Sequence, residues 1–166
     1  LFTSYANLHE VHRLIATNSR FPLLVQGTAP RSVLLRNFRA TPHAVLLATS
    51  SFWQGVDVAG DTLSCVIIDK LPFTPPGDPI TAARMDAIAR DGGNPFADYQ
   101  VPMAILTLLQ GIGRLIRHRQ DRGVLSILDS RILTKGYGRR FLASLPPSPI
   151  VREIGDVVQF LIKKGM

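Results

Sequence analysis

Cysteine is nearly missing from this sequence: Cys65 stands alone among 166 residues. One thiol excludes an internal disulfide, a cysteine-rich zinc site and an iron–sulfur cluster held by this chain, and it suits a reducing cytoplasm. Acidic residues are also scarce, 12 Asp and Glu against 19 Lys and Arg, for a formal charge of +7 and a pI near 10.3. Fifteen of the 19 cations are arginine, whose planar fork suits phosphate. The excess points to a polyanionic partner, although a domain made basic for solubility has the same composition. No apolar run approaches the ~20 residues that cross a bilayer, so no membrane partner is expected. The first residue is Leu1 rather than Met, and no basic leader with an apolar stretch and cleavage site follows it. An excised fragment of a cytoplasmic protein is the expectation.

What is present is globular: 46% of residues are hydrophobic and 19% charged, which excludes a disordered tail or a collagen-like repeat. The length suits one domain. Apolar β-branched runs alternate with segments of helical period, the signature of an α/β fold with a parallel sheet and crossover helices. A short strand over 1–4 precedes a helix carrying Leu8, Val11, Leu14 and Ile15 on one face. Strands over 22–26 and 44–48 flank a helix over 31–40 that turns Val33, Leu34 and Phe38 inward. The run at 64–68 reads as a central strand buried on both faces. Residues 71–79, with four prolines, form a rigid loop. Helices over 80–90 and 103–116, a strand over 124–128 and an amphipathic tail over 151–164 complete the chain. The compact unit closes near residue 150, with the loop and a helical insertion occupying about 72–102.

The strongest chemical signal is Gln110-Gly-Ile-Gly-Arg114-Leu-Ile-Arg117. On a helix, positions i, i+4 and i+7 share a face, which would aim one amide and two guanidinium groups at one place. Gly111 and Gly113 each cost about 1 kcal/mol in a helix interior relative to alanine, which suggests a close approach by a ligand or another backbone. An ordinary solvated face explains neither feature. His9, His12, His43 and His118 form no metal-ligand set with Cys65 or a carboxylate.

The motif fits the pattern Q-x-x-G-R-x-x-R, motif VI of superfamily-two helicases. Ser51-Phe-Trp-Gln-Gly-Val-Asp57 fits motif V, and Leu1-Phe-Thr-Ser-Tyr5 is similar to motif IV. Further matches are Val66-Ile-Ile-Asp-Lys-Leu-Pro-Phe73 with Asp78-Pro79, Leu128-Asp-Ser-Arg131 with Tyr137-Gly138, and Leu145-Pro146. Over nearly its whole length the chain resembles the second RecA-like motor domain of DinG-type helicases, relatives of the xeroderma pigmentosum group D enzymes. That resemblance implies a RecA-like fold and a motor that moves 5′→3′ on single-stranded DNA, with ATP and Mg²⁺ bound between two RecA-like domains. It implies Arg117 as the arginine finger, Arg114 as a second γ-phosphate contact and Gln110 as the link from nucleotide to domain interface. Asp57, Gly55 and Gly113 would line the ATP site, and Ser4, Tyr5, Ser50 and Ser51 would hold DNA phosphates. Relatives often carry an iron–sulfur module in the first motor domain, and any such cluster lies outside this chain.

Local chemistry leaves alternatives at several of these positions. Asp57 can bond its own backbone in a capped turn after Gly55. Phe52 and Trp53 can stack on bases or pack beneath the motif V loop. Gln26-Gly27 ends a strand where a ligand can approach. Gln54 stands where the family usually has Glu, and an amide keeps hydrogen bonding while losing the charge of an ion pair. The sequence holds no G-x-x-x-x-G-K-[ST] phosphate loop and no Asp-Glu-Ala-His-like metal motif, so it carries half of an ATPase site, expected to be inactive alone. The competing reading is a helicase-derived module that binds single strands or a protein without hydrolysis.

Overall fold

Two short strands, β1 (Leu23–Val25) and β2 (Val45–Leu47), pair in parallel with Leu23 opposite Val45. They belong to a computed structural model that describes residues 1–49, 52, 63–75, 77–113, 115 and 122–164. A second parallel pair joins β3 (Cys65–Ile68) to β4 (Val124–Ile127), with Cys65 opposite Val124. The first three residues stitch the two pairs together. Phe2 N–H donates to the Ala48 carbonyl at 2.8 Å and forms a parallel bridge to Thr49. The Leu1 nitrogen donates to the Ile67 carbonyl, and Asp69 N–H returns to the Leu1 carbonyl at 3.1 Å. The lateral order is therefore β1, β2, the Leu1–Thr3 segment, β3, β4, all parallel.

Alternation along β1 and β2 sends their side chains to opposite faces. Leu24 and Leu46 pack against the Leu34 and Phe38 side of α2 (Arg31–Ala40), while Val25 and Leu47 pack with Phe2 and Leu8 of α1 (Tyr5–Ile15). This half of the sheet is covered on both sides, as parallel sheets usually are. At β3 the expectation of two buried faces fails. Val66 and Ile68 are buried, but Cys65 is exposed and Ile67 is 51% exposed. Among the described residues the helices gather on the Val66 and Ile68 side only. There α4 (Val101–Ile112) contributes Val101, Ala104, Leu108 and Ile112. The short helices α5 (Arg131–Thr134) and α6 (Gly138–Ser144) add Ile132 and Phe141 to the same core.

The insertion after β3 has its own logic. Asp78 caps α3 (Pro79–Arg90) by accepting the Thr81 N–H at 2.7 Å, and Pro79 supplies a preset φ at the first helical position. A π-helical turn, Phe96–Gln100, then leads directly into α4, with Val101 N–H reaching back to the Phe96 carbonyl. Helical structure thus begins before residue 103, because Pro102 lies in the first turn of α4, where a missing N–H costs little. A helix α7 (Ile154–Lys164) follows the proline-rich segment and leaves Ile154, Val158 and Ile162 exposed. No helix among the described residues is long and apolar enough to cross a membrane.

Phe73, Phe96, Tyr137 and Phe141 form a ring cluster with centroids 5.3 to 6.2 Å apart, which locks the insertion to α6. Gly138 permits this: a Cβ there would collide with the Ile132 carbonyl, lying 2.6 Å from its carbon. Backbone cannot swing aside as a side-chain end can. Gly138→Ala should therefore cost about 3 kcal/mol or more, measured as a lowered urea midpoint of the chain.

Candidate nucleic-acid and nucleotide interface

The strands are parallel, so their C-terminal ends share one edge, where ligands of open α/β sheets usually bind. Onto that edge come Thr3-Ser4-Tyr5, Gln26-Gly27 after β1, Thr49 after β2, Asp69-Lys70 after β3 and Asp129 after β4. Two clamps fix the first of these segments. On one side Asp69 accepts the Thr3 N–H at 3.1 Å, the Asn7 Nδ2 at 3.2 Å and the Lys70 N–H at 2.7 Å. On the other, Gln26, only 8% exposed, donates from Nε2 to the Tyr5 hydroxyl at 2.5 Å. The Gln26 Oε1 accepts both the Thr49 N–H, at 2.6 Å, and the Thr49 hydroxyl, at 3.0 Å. Gly27 follows at φ +100°, a left-handed conformation that turns the chain sharply away from the edge.

Of the residues expected to hold DNA, Ser4 is the N-cap of α1 and its Oγ accepts the Asn7 N–H at 3.2 Å. Tyr5 opens the same helix, half exposed, with its ring stacked on His9 at 6.2 Å. The structure therefore brings Ser4, Tyr5, Gln26 and Thr49 together. Ser50, Ser51, Trp53, Gln54, Gly55 and Asp57 lie outside the described residues. Phe52 is buried among Leu34, Phe38 and Ala48, with the Arg31 guanidinium 5.3 Å from its ring centroid, so it packs rather than offering its face to a base.

Gln110 sits exposed on the last turn of α4, and the exposed Gly113 caps that helix through an N–H bond to the Leu109 carbonyl at 2.9 Å. The expected helix over 103–116 thus stops at Ile112. Glycines at 111 and 113 weaken helix propagation where the apolar periodicity alone would carry it on. Arg114 and Arg117 themselves lie outside the described residues.

At the far end of the edge, a cleft of about 400 Å³ is lined by Asp69, Lys70, Leu128, Asp129, Ser130 and Arg131. Asp129 is 7% exposed and already engaged: Arg131 grips it from Nε at 2.9 Å and Nη2 at 2.6 Å, and Leu71 N–H donates to it at 2.8 Å. Burial opposes its ionisation, but the Arg131 and Leu71 bonds outweigh that and hold its pKa down at about 2. The Leu128-Asp-Ser-Arg131 motif is thereby a clamp that ties β4 to the loop after β3. Neither the bond from Asn7 to the edge nor the double role of Gln26 is legible in the sequence. A helix-capping Ser followed three residues later by Asn was the only available hint. No group of three or more metal-ligating side chains occurs among the described residues.

Charge is unevenly spread. Residues 1–49 hold five arginines and a single acid, Glu10. Glu10 is satisfied by Arg13 at 2.7 Å.

The sequence model of the helicase C-terminal domain family matches residues 1–148. The ATP-dependent DNA helicase YoaA of Escherichia coli (strain K12) is 51% identical over 161 residues, 97% of this chain and 25% of that protein. The 3′-5′ exonuclease DinG of Bacillus subtilis (strain 168) is 44% identical over 155 residues, 90% of this chain and 17% of that protein. A solved XPD helicase superposes with a TM-score of 0.62 at 20% identity, covering 90% of this chain and 27% of the other. That last likeness carries the fold, a RecA-like α/β domain. The chain spans about a quarter or less of the length of these curated relatives.

Proposed function

The chain belongs to the helicase C-terminal domain family, and from that premise we propose that it is the second motor domain of an ATP-dependent DNA helicase of the DinG and YoaA kind. Residues 1–150 form the motor domain and 151–166 an appended amphipathic tail. Its partners are a first RecA-like domain of the same polypeptide, which supplies the phosphate loop and holds Mg²⁺, and single-stranded DNA, along which the protein moves 5′→3′ in the cytoplasm. Arg117 stabilises the transferring phosphoryl group, Arg114 contacts the γ-phosphate and Gln110 couples the nucleotide to the domain interface. Asp57, Gly55 and Gly113 line the nucleotide, while Ser4, Tyr5, Ser50 and Ser51 hold backbone phosphates.

The observation that carries this reading is the shared strand edge, where Gln26 ties Tyr5 to Thr49. It links the segment assigned to DNA with the residue that leads into the loop assigned to both ligands. The Gln26 bonds give the two segments a direct physical connection, of the kind that coupling ATP hydrolysis to movement requires. The arginine-rich first 49 residues suit a polyanion.

The test is ATP hydrolysis by the full-length protein with and without single-stranded DNA. Stimulation by DNA, together with binding that weakens steeply as salt rises, is the expected result. The 166-residue chain alone is expected to show no hydrolysis above background. Binding to single strands without hydrolysis by the full-length protein would instead favour a non-hydrolysing binding module.

A further inference from the structure

We infer that Gln26 is a positioning residue that makes the Tyr5 hydroxyl an outward-facing donor for a phosphate of single-stranded DNA, an inference that rests on the nucleic-acid reading above. The polarity follows from one asymmetric partner. The Thr49 backbone N–H can only donate, so the Gln26 atom facing it must be the carbonyl oxygen, Oε1. The amide nitrogen then faces the other way, toward Tyr5. An amide nitrogen only donates, so the tyrosine oxygen accepts and its own proton points away from Gln26. The orientation of the amide is thus dictated by the backbone and not by the choice of a flip.

Ser4 is built on the same plan. Its Oγ accepts from the Asn7 N–H and so keeps its proton for an acceptor elsewhere. The hydroxyls of these two neighbouring residues each accept one bond from the protein side, which leaves each proton to donate toward a ligand. A phosphodiester oxygen bears no proton and only accepts, whereas a base edge mixes donors with acceptors. The pair therefore matches backbone phosphate. Tyr5 is half exposed and its ring is steadied by His9, while Gln26 is buried, so Gln26 acts through Tyr5 without touching the strand.

The test is a double-mutant cycle in the full-length protein, read as affinity for a fluorescent oligothymidylate at fixed salt. Gln26→Glu keeps the shape and an oxygen for both Thr49 donors, but its second oxygen accepts where the amide donated. The two Thr49 donors favour the ionised carboxylate, and the Tyr5 proton then turns inward to meet it. Tyr5→Phe removes the donor outright from a half-exposed site. Each single variant should weaken binding about tenfold, the scale of one hydrogen bond to a charged group. The double variant should be no weaker than Gln26→Glu alone, and Tyr5→Phe should leave the salt slope unchanged because no charge is lost. Equal damage by Gln26→Glu in the wild-type and Tyr5→Phe backgrounds would assign the effect to added charge and overturn the inference. Wild-type affinity in Tyr5→Phe would overturn it too. A wild-type protein that ignores the oligonucleotide would sink the nucleic-acid reading itself, a result distinct from either.

Discussion

Alanine in place of Arg117 is expected to lower DNA-stimulated ATP hydrolysis by about 10³-fold or more, with ATP and DNA still bound. Phosphoryl transfer needs little covalent help from the protein, and its barrier falls mainly through placed positive charge. A finger arginine in GTPases is worth ~10³–10⁵ in rate. The loss should appear in kcat, because the guanidinium meets its full partner only as charge builds on the transferring group. Arg117→Lys should not restore the rate, since a point charge cannot reproduce a planar fork. Single-turnover hydrolysis beside equilibrium nucleotide binding separates the two effects. Unchanged hydrolysis in Arg117→Ala would remove the catalytic assignment, and equal loss of binding and rate would make Arg117 a ground-state contact. Arg114→Ala should lie between the two extremes, with some loss of affinity.

The second large effect concerns stability. Asp129→Asn is expected to lower the unfolding free energy of the chain by about 2 kcal/mol, the scale of leaving the buried Leu71 and Arg131 donors without their acceptor once solvent around the half-exposed Arg131 is allowed for. The carboxylate takes the Arg131 guanidinium, the Arg131 N–H at 3.0 Å and the Leu71 N–H. An amide offers one acceptor and presents a donor to the rest, leaving buried donors facing each other. Protonation should do part of the same damage. The folded pKa, about 2, lies below the unfolded value near 3.8. The contribution is therefore fully present above pH ~4 and disappears as the pH falls toward 2. It amounts to between about 1 and about 2 kcal/mol, the lower figure allowing for solvent around Arg131, whose side chain is 41% exposed. Urea unfolding between pH 6 and pH 2.5 should show this component in the wild type and not in Asp129→Asn.

Periodicity made most of the architecture legible. The helix expected over 31–40 is α2, Arg31–Ala40, because Leu34 and Phe38 recur at helical spacing and the chain must hide them. The strands over 22–26, 44–48 and 124–128 are each found within about a residue at either end. What failed were inferences that needed a neighbour. A β-branched run at 64–68 does not say whether a second helix will cover its outer face, and Ile67 stands open. Apolar spacing carried the expected helix through residue 116, but backbone freedom at Gly111 and Gly113 ended it at Ile112. At the candidate site, motif spacing pointed to Ser4 and Tyr5. It could not supply what Gln26 and Asp69 hold, because Tyr5, Thr49, Thr3 and Asn7 lie 21 to 66 residues from them along the chain. Residue types were readable there and pairings were not.

The seam made by Leu1–Thr3 has a bearing on how the domain folds. Residues 1–3 lie in the middle of the sheet, and one of their two neighbours, β3, lies 66 positions later. Closing a loop of that length costs about 4 kcal/mol in chain entropy before any contact repays it. The half built from α1, β1, α2 and β2 closes over short distances and can assemble early. The half that contains β3 and β4 must wait for a pairing across nearly 60 residues. The zipper between them is only three residues wide, and its β3 side is the longest closure of all, so long-range pairing rather than helix formation should set the folding rate. Until it closes, the hydrogen-bonding edges of β2 and β3 are both open, which makes this interval the one in which the chain is most exposed to pairing with another copy of itself.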